Sequence, residues 1–567
     1  MSALASILIR ILGRASNRRF EQSVRNVRET QEQLLLAMVA ANRDTEYGKA
    51  HGFASIRSFS DWQRLVPVVT YEDLREGMER VIRGAKNVFT AEDPVLFART
   101  SGTTGDAKYI PVTKTCQGKS SKDQMRTWFH HAVKDHPQIF LGRVLSLVSP
   151  AVEGLTPSGL PYGSTSGHIY KNMPSLVRGT YLIPYDLFEL NDYEAKYTAI
   201  MRLGIGAHVT FLATANPSSI IKMCEMANRH SEMLIKDLHD GTLSSDLPIE
   251  GPLRKTLESR LRPDPVRARA LSQARQRRAG MLLPVDYWPG LKLIGCWKGG
   301  TVGGYLQKFP GWFDPEGQKP IPVRDWGYLS SEARGSIPVT DRGAGGVLTV
   351  ASNVYEFVPV ADLEASPENS SAWNFLRADQ VKVGSEYYIF FSTTGGLYRY
   401  DINDVVEVTG TYQTAPVIEF RRKGRGMTNI TGEKVSVNQI ITAFGNVATR
   451  LGLTIDHFKA EADTEESRYI FKAESRAGIP ESLRPAVLRA IDHELSRLNL
   501  EYDAKRKSLR LQDPVLHIMG PGWYDHQKTA LVAAGKRLFQ AKTELLSPRG
   551  REDGQDFLEA IVEWTSE

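Results

Sequence analysis

The chain's 567 residues exceed what one hydrophobic core organises and correspond to roughly three to four domain-sized units. Its 71 basic and 65 acidic residues are interspersed and leave a net charge of only +6, which excludes nucleic acid as the main partner. Three cysteines without CxxC spacing exclude a disulfide framework and a cysteine zinc site and fit a reducing cytoplasm, and no segment reaches the ~18 apolar residues that stable membrane insertion requires.

At the N-terminus, Leu4, Ile7, Leu8, Ile11 and Leu12 recur at helical spacing among Arg10, Arg14, Arg18 and Arg19. Arg10 interrupts the apolar run and no small-residue cleavage site follows, which argues against a signal peptide. The expectation is an amphipathic helix packed on the body, with peripheral membrane contact as the alternative. Residues 20–90 read as helices, broken near Asp44–Gly52 and at Pro67.

Next, Val95-Leu96-Phe97 leads as an extended apolar run into Ala98-Arg99-Thr100-Ser101-Gly102-Thr103-Thr104-Gly105-Asp106-Ala107-Lys108. Glycines let backbone N–H groups converge, and the hydroxyls and an ammonium add donors, so the loop reads as a polyphosphate site. It is not a Walker A loop: Gly102 and Gly105 enclose only two residues, and Tyr109 follows Lys108 where Ser or Thr is required. A plain turn is the alternative for such a cluster read alone.

Residues 118–135 read as a helix, on which His130-His131 is a surface pair rather than a metal site. Strand Val144–Val148, a Gly/Ser/Pro-rich segment Pro150–Asn172, helices 192–203 and 217–240 and a strand Ala207–Ala213 between them follow. This alternation predicts α/β layers with largely parallel sheets. The many arginines of 253–280 read as a solvated helical face, and strand Leu291–Ile294 leads into Cys296-Trp297-Lys298-Gly299-Gly300-Thr301. Residues 347–408 turn strand-rich, with runs at 346–350, 387–391 and 405–408. A hinge is placed at 421–426, dividing residues 1–420 from a smaller α+β domain, 427–567, with helices 437–450, 484–498 and 526–536 and a strand at 469–473.

Three further motifs carry chemistry. In Trp326-Gly327-Tyr328-Leu329-Ser330-Ser331-Glu332 an aromatic ring, two hydroxyls and a carboxylate at a strand end suit a base and a magnesium ion. In Gly396-Leu397-Tyr398-Arg399-Tyr400-Asp401-Ile402-Asn403-Asp404, Asp404 precedes an apolar strand, where a carboxylate accepts both hydroxyls of a ribose; a turn Asp is the alternative. The third is Lys542 in Gln540-Ala541-Lys542-Thr543.

The four motifs in this order resemble the adenylate-forming superfamily of acyl-CoA synthetases, peptide-synthetase adenylation domains and luciferases. More closely, Tyr328–Glu332, Tyr355-Glu356-Phe357-Val358-Pro359, Gly396–Asp404-Val405 and Pro521-Gly522-Trp523-Tyr524 resemble the Gretchen Hagen family of acyl acid–amido synthetases, known from plant auxin and jasmonate conjugation and also present in bacteria. The resemblance spans roughly residues 25 to 545 and marks a bacterial-type member. It implies a large adenylation domain, a mobile C-terminal domain, and ATP and Mg2+ as cofactors. Thr100, Ser101, Gly102, Thr103, Thr104, Gly105 and Lys108 would hold phosphates; Tyr328, Ser330, Ser331, Asp404 and Arg425 the adenosine; Glu332 the magnesium; Lys542 would be catalytic. The partners implied are a small carboxylic acid and an amino acid or other amine.

Tyr162, Tyr170 and Trp297 are candidates to flank the acid, with core aromatics as the alternative. Three departures stand out. Asp106 lies inside the phosphate loop, Asp401 and Asn403 replace a basic residue and a Gly of the usual plant pattern, and Met427 stands where an acid usually follows the Gly-Arg pair. The rival readings are an acyl-CoA or carrier-protein ligase using the same acyl-adenylate, and a catalytically degenerate scaffold. Retention of Gly102, Gly105, Glu332, Asp404, Arg425 and Lys542 argues against the scaffold.

Overall fold

The computed structural model describes residues 2–100, 108–367, 369–527, 545–550 and 554–564. It divides into two compact units, residues 1–99 with 109–421, and residues 422–567 with the short stretch 100–108.

In the first unit the parallel arrangement expected from the strand–helix alternation holds for one sheet. Its four strands, Arg143–Leu147, Val209–Thr214, Leu293–Gly295 and Val323–Arg324, pair in parallel because helices long enough for a crossover separate them. The largest sheet departs from that expectation. Seven strands run in the order Leu376–Arg377, Asn353–Pro359, Glu386–Thr393, Tyr400–Tyr412, Ala415–Lys423, Gly346–Leu348 and Ser336–Ile337. Asn353–Pro359 pairs antiparallel with Glu386–Thr393, which pairs antiparallel with Tyr400–Tyr412, since the connections here carry no crossover helix beyond one of six residues. A third sheet sets Pro94–Thr100 between Lys108–Thr113 and Pro161–Gly163, so the two strands that bracket the phosphate loop are neighbours.

Helices cover these sheets. In Val27–Asn42, Gln31 lies fully within the protein and acts as a clamp: its amide nitrogen donates to the Val350 and Asn353 carbonyls and its oxygen accepts from the Tyr355 N–H. The N-terminal helix Ser2–Ser23 packs on Gln124–Asp135, with Ser16 and Arg19 bonded to Asp123 and Phe20 edge-on to His131, while Ile7 and Ile11 remain exposed. His131 bonds Asn17, and burial pushes it down to about 4, which keeps it neutral. No trio of metal-ligating side chains occurs among the described residues, and none of their helices is long and apolar enough to cross a membrane.

The second unit is a five-stranded sheet, Leu546–Pro548, His457–Asp463, Arg468–Glu474, Val515–Met519 and Leu558–Val562, packed against Val437–Leu451 and Arg484–Leu498. Ser436 and Gln439 form a reciprocal capping box that starts the first helix. Its apolar stripe, Ile440, Phe444 and Val447, meets Phe471, Ile491 and Leu516 in one core. The expected helix 526–536 lies mostly outside the described residues; 523–527 are helical.

Candidate active site

The site begins at Asp325, at the end of the last parallel strand. Its carboxylate accepts the backbone N–H groups of Lys298 and Gly327, so one side chain ties the Cys296–Gly300 loop to the Trp326–Glu332 motif. Burial raises this carboxyl to about 6, against the opposing pull of those N–H donors. Gly327 has φ +90°, and a Cβ there would stand 2.3 Å from the Ser336 carbonyl oxygen, so the chain enters the motif through a backbone that only glycine accepts without strain.

Residues 328–335 then double back as a tight hairpin. Leu329 pairs with Arg334, the Gly335 N–H donates to the Tyr328 carbonyl, and Ser330 spends its hydroxyl on the Ala333 backbone. The Tyr328 ring packs on Gly335, where a Cβ would approach it to 2.4 Å, and stacks on Phe420 at 6.2 Å and 12°. Its hydroxyl donates to Asp404 Oδ2 at 2.7 Å across 76 residues. Burial first, and the Asp404 carboxylate second, hold the Tyr328 phenol far above its ordinary value, so it is a fixed donor.

Asp404 reaches Tyr328 through a bulge. Phe390 pairs with Asp401 but Tyr388 with Val405, so two extra residues lie on the Tyr400–Tyr412 strand at that point. Asn403 sits there at φ +58°, its N–H bonded to Asp401 Oδ1 at 2.8 Å. The departures at Asp401 and Asn403 are thereby explained: Asn is among the few residues that enter the left-handed region readily, and Asp401 closes the turn. Glu332 shares the corner, its charge acting on the buried phenols of both Tyr328 and Tyr400. Ser331 is half-buried beside it.

Of the phosphate-loop candidates, Thr100 closes the Pro94–Thr100 strand and is buried, and Lys108 opens Lys108–Thr113. Ser101, Gly102, Thr103, Thr104 and Gly105 lie outside the described residues, as does Lys542. Arg425 stands in the turn after strand Ala415–Lys423, whose end is pinned by Arg421 to Glu407 and Glu419. Tyr162 lies opposite Phe97 in the neighbouring strand, half-buried, with the Arg99 guanidinium 5.4 Å above its ring. Trp297 is half-buried, its backbone N–H bonded to the Ala215 carbonyl. Tyr170 is corrected: it is a core aromatic, fully enclosed with Tyr181 and Phe188 around it and its hydroxyl donated to the Ile183 carbonyl, so no face is left for an acid.

Two buried groups escaped the sequence reading. Asp325 is one; the other is the pair Arg399–Glu356, a two-pronged ion pair at 2.8 and 2.9 Å that joins the Tyr355–Pro359 and Gly396–Asp404 motifs. For Asp325 the folded value lies above the unfolded 3.8, so the folded state holds the extra proton. Its contribution to stability is therefore present below about pH 4 and lost as pH rises through about 6, a swing of roughly 3 kcal/mol. Unfolding of the wild type and of Asp325→Asn, measured from about pH 4 to about pH 7, should differ by this slope; parallel curves would refute it.

The GH3 family N-terminal domain matches residues 16–316, its central domain residues 346–423 and its C-terminal domain residues 438–550. An indole-3-acetic acid-amido synthetase of Arabidopsis thaliana is 23% identical over 558 residues, covering 92% of this chain and 89% of its own length. A jasmonoyl–L-amino acid synthetase of Nicotiana attenuata is 24% identical, covering 76% of this chain and 75% of its own. The solved structure of an acyl acid amido synthetase, GH3.15, superposes with TM-score 0.63 at 19% identity over 96% of each chain, which shows a common fold. With the N-terminal domain alone matching more than half of its length and the other two following in order, this chain belongs to the GH3 family.

Proposed function

We propose that the chain is an ATP-dependent acyl acid–amido synthetase, an acid–amino acid ligase. The observation that carries this reading is the Tyr328–Asp404 bond, which turns two distant motifs into one nucleoside-shaped corner, within a family whose named relatives are amido synthetases. In the first half-reaction an acid's carboxylate oxygen attacks the α-phosphorus of ATP and pyrophosphate leaves. In the second, an amine nitrogen attacks the acyl carbonyl, AMP leaves and the nitrogen releases a proton. Tyr328, held by Phe420 and Asp404, offers a wall for the adenine; the Asp404 carboxylate accepts from the ribose; the donors of Thr100–Gly105 and the charge of Lys108 take the outer phosphates.

Glu332 fits a magnesium ion. Two carboxylates crowd the same pair of buried phenols, an oxygen-rich, anionic corner suited to a hard cation that also takes substrate phosphates. When bound, magnesium neutralises charge on the departing pyrophosphate. Lys542 would bridge the carboxylate and the α-phosphate, and the turn at 424–426, beyond the pinned Arg421, is the point for a rotation that admits the amine.

Pyrophosphate release from ATP across a panel of carboxylic acids, with amino acids or coenzyme A added, tests the reading. Acid-dependent release with amide as product supports it; a thioester product would replace the acceptor, and no release with any acid would refute catalysis. Asp404→Ala removes the ribose acceptor and unpins Tyr328. A lost hydrogen bond to a charged group, ~1.5–3 kcal/mol, predicts a KM for ATP raised about 10- to 100-fold. An unchanged KM would remove Asp404 from the nucleotide site.

A further inference from the structure

The N-terminal helix Ser2–Ser23 carries a pattern that the synthetase reading does not use. One of its faces is committed to the body. Gly13 lets the helix lie so close to Gln124–Asp135 that a Cβ there would stand 3.1 Å from the Arg126 carbonyl oxygen and from His130 Cβ. Ile9 packs against the core, and Ser16 and Phe20 are buried along the same stripe. The opposite face is open. Ile7 and Ile11 are 53% and 59% exposed, and Arg10, Arg14 and Arg18 are exposed with them. At about 3.6 residues per turn, these five positions fall within an arc of about 100°. The first acid in the chain is Glu21, whose carboxylate accepts from the Tyr412 hydroxyl and the Gln413 amide. The open face is therefore apolar and cationic, with no acid of its own helix before that point.

A lone exposed apolar side chain is ordinary on a protein surface. Among the described residues, however, Ile7 and Ile11 are the one pair of exposed large apolar side chains that share a helix. Charge decides what such a face receives. A second copy in a two-fold pairing would set one row of arginines against another. An anionic bilayer answers both features at once. Its phosphates meet the guanidinium groups, the arginine stems lie along the surface, and the isoleucines reach the acyl boundary just beneath. The helix would lie in the plane of the surface, since none among the described residues is long and apolar enough to cross it.

We propose that the outer face of Ser2–Ser23 is a peripheral membrane-binding surface selective for anionic phospholipid. Ile7 and Ile11 are its apolar anchors, and Arg10, Arg14 and Arg18 its headgroup contacts. The packed face, through Gly13, Ser16 and Phe20, fixes the helix to the protein, so the bilayer receives a preformed element and no folding on binding is needed. This goes beyond the amido-synthetase reading and is independent of it: either can fail without the other.

The test is co-sedimentation of the full chain with vesicles, of phosphatidylglycerol mixed with phosphatidylcholine or of phosphatidylcholine alone, at low and high salt. Wild type is compared with Arg10→Gln/Arg14→Gln/Arg18→Gln, with the corresponding triple lysine variant and with Ile7→Ser/Ile11→Ser. The expected result is binding to the anionic vesicles that salt weakens, and little binding to phosphatidylcholine. A cation near an anionic surface is worth about fivefold in partitioning, so the glutamine variant should bind about 100-fold more weakly. The lysine variant should keep most of the affinity, because the headgroups read charge. Ile7→Ser/Ile11→Ser should lose about tenfold, and that loss should persist at high salt. All variants should melt with wild type, since the substituted side chains face away from the body. Equal binding to both vesicle types, no binding to either, or binding unchanged in the glutamine variant overturns the proposal. So does binding to soluble polyglutamate that matches the vesicles and ignores the isoleucine substitutions, which would assign the face to an acidic protein. A dimer in sedimentation velocity that Ile7→Ser/Ile11→Ser dissolves would assign it to a second copy of the chain and equally overturn the proposal.

Discussion

Lys542→Ala is expected to lower acid-dependent pyrophosphate release by about 10²- to 10⁴-fold while leaving ATP binding within twofold. The asymmetry follows from when its charge matters. The acid's carboxylate and the α-phosphate are both anionic, and bringing them to bonding distance is opposed until a cation lies between them. An ammonium at that point interacts far more strongly with the transition state than with bound ATP, so its loss falls on kcat rather than on the nucleotide's KM. One group aimed at developing charge is commonly worth ~3–5 kcal/mol in a water-poor site, which gives the range stated. Supplying a synthetic acyl-AMP bypasses the step, and Lys542→Ala should then form amide at close to the wild-type rate. Equal losses in both half-reactions would assign Lys542 to folding or domain closure, and a wild-type rate of pyrophosphate release would remove it from the mechanism.

The second large effect is on stability, at Arg399–Glu356. Both side chains are nearly inaccessible to water. The guanidinium makes the two-pronged pair with Glu356, donates to the Gln63 and Val66 carbonyls, and lies 4.4 Å above the Phe375 ring. Gln63 also donates to Glu356 Oε1 at 3.0 Å. Glu356→Ala leaves that cation enclosed without its anion, and removing one partner of a buried pair typically costs ~3–5 kcal/mol. The expected result is an unfolding free energy for the first unit, from chemical denaturation, lowered by that amount, with the second unit's transition unmoved. Removing both charges in Glu356→Leu/Arg399→Met should recover part of the loss, since the orphaned charge is then gone. A single substitution that is neutral would mean water reaches Arg399.

How much of this was legible from residue order depends on what each residue's neighbours in sequence reveal. The helix at Arg484–Leu498 and the strand at Glu386–Thr393 declare themselves by period and apolar run, because burial imposes the pattern locally. The helical reading of 217–240 resolves into Pro217–Arg229 and Ser231–Asp240, interrupted at His230. Motif order pointed to Tyr328, Glu332 and Asp404. It gave no means of telling that the Tyr328 hydroxyl closes on Asp404, since the two stand 76 positions apart in the chain and meet only once it has folded. Tyr170 shows a choice that residue order left open: an aromatic in a glycine-rich segment suits a pocket wall or a core, and its burial and its bond to the Ile183 carbonyl make it core. Asp325 was passed over because a single charge next to a motif looks like surface, and burial is not a local property.

The bulge at Asn403 has a consequence for how such sequences are compared. What that position demands is a handedness of the backbone, φ +58°, and the side chain follows from it. Glycine meets the demand with no penalty, asparagine with a small one, and a β-branched residue meets it badly. A signature spelled in letters therefore breaks where asparagine stands in place of glycine, although both residues satisfy the same torsion angle, and the turn that leads to Asp404 asks for the angle rather than the letter.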